Sequence, residues 1–109
     1  MSVEQEKVID AIGIDKGTGH IMLTISDHLD WRDSVRHQLT LQRKFNSYWA
    51  FVESGEILQQ YPAARNRLVT FRVFFKHPPD TNAESFLDRA RHFIEEAGFG
   101  LIWENFIER

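Results

Sequence analysis

The sequence predicts an α+β fold: a two-layer α/β sandwich in ββαβαβ order, with a four-stranded mixed sheet and two helices on one face. Three observations predict it. Two β-rich stretches flank a glycine-containing turn, two long segments repeat their apolar residues at helical spacing, and one stretch between them alternates strictly.

Val8 to Ile14 and Ile21 to Ile25 are the β-rich stretches, and Asp15-Lys16-Gly17-Thr18-Gly19 joins them. Its glycines supply the positive φ values that a hairpin loop requires. The first helix is expected from about Trp31 or Asp33 to Glu53, with Asp30 or Asp33 as its N-cap. Leu41, Phe45, Tyr48 and Val52 form its apolar stripe, with Trp49 at the margin. Leu39 and Phe51 fall outside that stripe and must meet a second packing surface or a partner. Gly55 ends the helix, and Glu56 to Tyr61 forms one further turn before Pro62. Leu68 to Lys76 is the third strand, with Val69, Phe71, Val73 and Phe75 on one face.

The second long helix carries clear punctuation. Thr81 and Glu84 match a capping box, and Ala83, Phe86, Leu87, Ala90, Phe93, Ile94 and Ala97 form the buried stripe. Gly98 is the left-handed residue past its end, and Phe99 can fold back on Phe93 or Ile94. Leu101 to Ile107 is the fourth strand. A right-handed crossover joins the third strand to the fourth in parallel. The second sheet face then carries Met22, Thr24, Phe74 and Ile102 or Phe106, apolar enough to want a cover. A homodimer is the simplest one.

A chain of 109 residues implies a single domain over 1–109. The net charge of −3 argues against a general affinity for polyanions, and the lack of cysteine excludes disulfides and thiolate zinc sites. The polar, acidic start Met1-Ser2-Val3-Glu4-Gln5-Glu6 has no signal-peptide pattern, and no apolar run reaches the roughly 18 residues of a membrane span. The expected setting is the cytoplasm, with no membrane partner.

Chemistry concentrates in Ile25-Ser26-Asp27-His28-Leu29-Asp30-Trp31, where a strand gives way to a helix start. In an extended strand Ser26 and His28 share a face while Asp27 points away, so these neighbours cannot form a hydrolytic relay by themselves. The plainer reading has Ser26 and Asp27 bonding turn amides and Asp30 capping the helix. Asp27, His28 and Asp30 remain the weak catalytic candidates. The five histidines show no i, i+4 pair and no HExxH pattern. His28 with Asp27 or Asp30, joined by His37, could make only a poor nitrogen–oxygen metal site, and none is expected. From Ile57 to Pro79 there is no acidic residue, while Arg65, Arg67, Arg72 and Lys76 accompany Phe71, Phe74 and Phe75. Phe74 opposes the other two rings across the strand, so a stacking platform for nucleic acid does not follow. Gly17-Thr18-Gly19 precedes no helix and lacks the setting of a phosphate loop.

Two segments resemble a known family. Val8-Ile9-Asp10-Ala11-Ile12-Gly13 leading to Leu23-Thr24-Ile25-Ser26-Asp27-His28-Leu29-Asp30-Trp31 is one. Leu41-Gln42-Arg43-Lys44-Phe45-Asn46-Ser47-Tyr48, continuing through Phe51-Val52-Glu53-Ser54-Gly55-Glu56-Ile57, is the other. Together they resemble a small bacterial family known as domain of unknown function 6572. The resemblance implies a bacterial cytosolic protein with no assigned activity, so it carries no catalytic residue and no cofactor onto this chain.

The expected function is a non-enzymatic binding or interaction module that self-associates through the uncovered sheet face. Trp31, Lys44, Tyr48 and Phe51 are its candidate binding residues, toward a second copy, another protein or a small molecule. The alternative is a small hydrolase-like enzyme with His28 as base and Asp27 or Asp30 orienting it. A nucleic-acid-binding module is a lesser alternative. No cofactor is implied.

Overall fold

The computed structural model describes residues 2–105. Phe106 and Ile107, assigned above to the open face and the last strand, lie outside those residues. The chain runs β1 (Ala11–Ile14), β2 (Ile21–Asp27), α1 (Ser34–Glu53), α2 (Glu56–Gln60), a single 3₁₀ turn (Pro62–Ala64), β3 (Val69–Phe75), α3 (Thr81–Glu96) and β4 (Gly100–Asn105). It is an α+β fold with a four-stranded mixed sheet in sequential order: β1 and β2 pair antiparallel, β2 with β3 and β3 with β4 in parallel. Both parallel connections step the same way across the sheet. Two crossovers of one hand therefore place α1 and α3 over the same face.

That face is the core. Leu23, Ile25, Phe71, Val73, Phe75 and Leu101 pack with Leu41, Phe45 and Tyr48 of α1 and with Leu87 and Ile94 of α3. The alternation of β3 holds throughout: Val69, Phe71, Val73 and Phe75 are buried, and the residues between them half-buried. In the β1–β2 turn only Gly19 takes a left-handed conformation (φ 77°). Asp15 organises the rest by accepting the Thr18 amide at 2.9 Å and the Thr18 hydroxyl at 2.8 Å. Those bonds hold the Asp15 carboxyl below its ordinary range.

Several local expectations need correction. β1 begins at Ala11 rather than Val8, because residues 8–10 serve another purpose described below. Of the two expected N-caps of α1, Asp33 is the one used, accepting the Arg36 amide at 3.1 Å, whereas Asp30 only closes a turn by accepting the Arg32 amide. α3 is capped one residue earlier than the capping-box pattern placed it. Asp80 accepts the Ala83 amide at 2.7 Å, and a carboxylate at an N-cap outcompetes the neighbouring threonine hydroxyl. At the other end Gly98 is left-handed (φ 94°), and the Phe99 and Gly98 amides bond the Ile94 and Glu95 carbonyls, the paired bonds of a Schellman ending. Phe99 does not turn toward Phe93. Its ring meets Trp49 edge-on and Phe71 at a tilt, and Phe93 is left 71% exposed.

The buried side of α1 keeps Leu41, Phe45 and Tyr48 of the expected stripe but is wider than it, with Val52 only half-buried. It runs His37, Leu41, Lys44, Phe45, Tyr48 and Phe51, and Phe51 is 6% exposed. Leu39 lies off it at 48% exposure. Truncation should read this placement directly. Phe51→Ala should lower unfolding stability by about 3–5 kcal/mol in urea titration, whereas Leu39→Ala should change it by less than about 0.5 kcal/mol.

Candidate functional site

The buried face of α1 presents three polar groups in a row, His37, Lys44 and Tyr48, spaced seven and four residues apart. At 3.6 residues per turn these offsets share one side of a helix. Each faces the N-terminal segment, the far end of β2, or both.

Lys44 lies deepest. Its ammonium donates to the carbonyls of Ser2 (3.1 Å), Gln5 (2.6 Å) and Val8 (2.5 Å) and to Asp10 Oδ1 (2.9 Å), and neither charged side chain exceeds 2% exposure. An ammonium has three hydrogens, so four oxygens use all of its donor capacity. Asp10 is the counter-hub. Its Oδ2 accepts the Ser26 amide at 2.9 Å, and its own amide donates to the Tyr48 hydroxyl at 2.9 Å. That hydroxyl in turn donates to the Thr24 carbonyl at 2.6 Å. β1 pairs with β2 only as far as Thr24. Beyond it the Asp10 carboxylate and the Val3 amide, which donates to the Ser26 carbonyl at 2.9 Å, complete the edge of β2. Residues 8–10 look like strand in sequence but act as a side-chain-mediated continuation of one.

His37 closes the other end. Its Nε2 lies 2.5 Å from Asp27 Oδ2, its Nδ1 lies 2.9 Å from the Asp30 carbonyl, and Asp27 Oδ1 accepts the Leu29 amide at 3.0 Å. Trp31 stacks on the imidazole with centroids 3.6 Å apart and an 18° tilt, and its indole donates to the His77 carbonyl. Both ring nitrogens therefore face acceptors and both Asp27 oxygens are occupied. The buried pair is thus engaged with its own surroundings at every nitrogen and oxygen.

The candidate residues are thus separated. Asp27 is brought to His37, not to His28. The His28 ring stands half-exposed beside Glu4, with Nε2 3.1 Å from Oε1. Asp30 holds the Arg32 amide and guanidinium at the surface. An open cleft of about 570 Å³ passes along His28, Asp30, Arg36, His37, Arg43 and Glu4, and His37 contributes to its wall without a free nitrogen. Of the candidate binding residues, Trp31 packs on His37, Lys44 bonds the N-terminal segment, Tyr48 bridges that segment to β2, and Phe51 is core. Among the described residues no group of three or more histidines and carboxylates could hold a metal ion. No described helix is long and apolar enough to cross a membrane.

His37 and Asp10 were not singled out as partners from the sequence. The signal was the 4, 3, 4, 3 spacing of His37, Leu41, Lys44, Tyr48 and Phe51, which an apolar-only stripe conceals.

A family of unknown function (DUF6572) matches residues 1–106 of the chain, and the chain belongs to it. No curated protein and no solved structure matches.

Removing one partner of the buried pair strands the other. Lys44→Met should cost about 3–5 kcal/mol, and hydrogen exchange should show the Val3 amide losing protection before those of β2 and β3. Burial also pushes the Tyr48 phenol well above its ordinary value of 10.0, so the folded chain keeps this proton where the unfolded chain sheds it. Its contribution is complete below about pH 10 and declines as pH rises toward the folded-state value. In denaturant titrations above pH 10, wild type should lose stability more steeply than Tyr48→Phe.

Proposed function

We propose that this DUF6572 member is a cytosolic, non-enzymatic interaction module that pairs with a second copy of itself through the open face of its sheet. The make-up of that face carries the reading. Met22, Thr24, Phe74 and Ile102 share it with Thr70, Arg72 and Glu104, as the register requires. Arg72 stands between Thr24 and Ile102. Its guanidinium lies 4.6 Å from the Phe74 ring centre and donates to the Thr24 hydroxyl at 3.2 Å, while its Nε is buried and has no partner among the described residues.

A two-fold interface joins the same patch on both chains, so the patch must complement itself. This one offers a cation at Arg72, an anion at Glu104 beside Phe74 on the neighbouring strand, and apolar side chains between them. Two faces brought together antiparallel would set each Arg72 against the other copy's Glu104 and cover Phe74 and Ile102. A buried donor left unbonded costs about 1–3 kcal/mol, which a carboxylate on the guanidinium fork would recover.

The engagement of His37, Lys44 and Tyr48 with groups of their own chain supports the non-enzymatic half. A hydrolase built on His28 would take its orienting carboxylate from Asp27 or Asp30, but Asp27 is committed to His37 and Asp30 to Arg32, and the carboxylate beside His28 is Glu4, at an open surface position. Nucleic acid finds little here: Phe71 and Phe75 are core, leaving Phe74 as the one ring of that strand on the open face.

Sedimentation equilibrium tests the pairing. Wild type should be a dimer at tens of micromolar, Arg72→Glu or Glu104→Arg should weaken it at least about tenfold, and the double swap should restore it. A monomeric wild type, or a dimer indifferent to either single substitution, contradicts the proposal.

A further inference from the structure

A second cleft, of about 450 Å³, lies between α1 and α3. Its walls are aromatic: Phe45 and Trp49 from one helix, Phe86 and Phe93 from the other, with Ala90 leaving space between them. Three of these rings are braced by neighbours within the chain. Phe45 and Phe86 lie nearly parallel (6.3 Å between centroids, 17°), and Trp49 is braced edge-on by Phe99 (5.5 Å, 85°). Walls that are already ordered reduce the entropic cost of binding. On the polar side, Gln42 and Asn46 bond each other at 3.0 Å, and Arg89 is the one ionisable group of the lining. The 71% exposure of Phe93 at the lip is the kind of apolar surface that an occupant would cover.

From this combination we infer that the α1–α3 cleft is a binding site for a planar aromatic carboxylate of small-molecule size. Flat rings favour a flat aromatic body by offset or edge-on stacking, and the single guanidinium selects a planar anion that it can hold bidentately. The volume falls within the range of small-molecule sites, about 300–1,000 Å³. The lining from Gln42 to Ala50 spans about 12 Å at 1.5 Å per residue, the length of a bicyclic aromatic acid. The cleft lies on the helical side of the sheet, away from Arg72 and Glu104, so this inference and the pairing proposed above succeed or fail separately.

The test uses 2-naphthoate and its neutral counterpart 2-naphthamide, titrated into the full chain while the Trp49 indole resonance is followed by NMR. Naphthoate should saturate at one molecule per chain with a Kd below about 1 mM, and naphthamide should bind about tenfold more weakly for want of a charge-assisted bond. Arg89→Gln, at an exposed position, should erase the difference between acid and amide. Ala90→Leu, which narrows the cleft, should weaken both. No saturation by millimolar naphthoate overturns the inference. So does equal binding of acid and amide to wild type, or an acid preference that survives Arg89→Gln.

Discussion

A buried ammonium is tolerable only when its hydrogens are all used, and Lys44 meets that condition by gathering residues 2–10 around itself. Three carbonyls and one carboxylate come from four different positions of the N-terminal segment. Such a pair is weak evidence for net stability, since desolvation offsets most of the Coulomb attraction. What it supplies is specificity of place: the segment has one seat, and from there Asp10 and Val3 finish the edge of β2 that β1 leaves bare.

The same logic governs the rest of α1. Tyr48 bridges Asp10 to Thr24, and His37 binds the last residue of β2 to the turn before the helix. Helix, sheet edge and N-terminal segment thus form one unit fastened at three points. The chemistry that drew attention to Asp27 and Trp31 is spent inside this fastening. Groups free to meet other molecules lie elsewhere, with Arg72 on the open sheet face and Arg89 beside the aromatic cleft.

The fold was largely legible from the sequence. Alternation in Val69 to Phe75, the glycine turn and the Gly98 ending are local signals, and local signals survive into the tertiary structure when one face of each element is buried. The cap of α3 lies one residue before the expected one, because adjacent Asp80 and Thr81 compete for one role. The candidate site was legible only as a place. Periodicity arguments treat lysine and histidine as solvent-facing, so the stripe drawn through Val52 and Trp49 left Phe51 outside it and kept Lys44 and His37 from view as buried groups. Their partners, Asp10 and Asp27, lie 34 and 10 residues away, and nothing in a local pattern encodes a contact at that separation.

The most direct measurement is ammonium-resolved NMR of the folded chain. Exposed lysine ammonium groups exchange with water too fast to be seen, so a sequestered Lys44 predicts one slowly exchanging signal, with through-hydrogen-bond couplings to the Ser2, Gln5, Val8 or Asp10 oxygen-bearing carbons. Absence of any protected ammonium while the sheet amides remain protected would mean that the segment is held in some other way, and the account of α1 as a three-point fastener would be wrong.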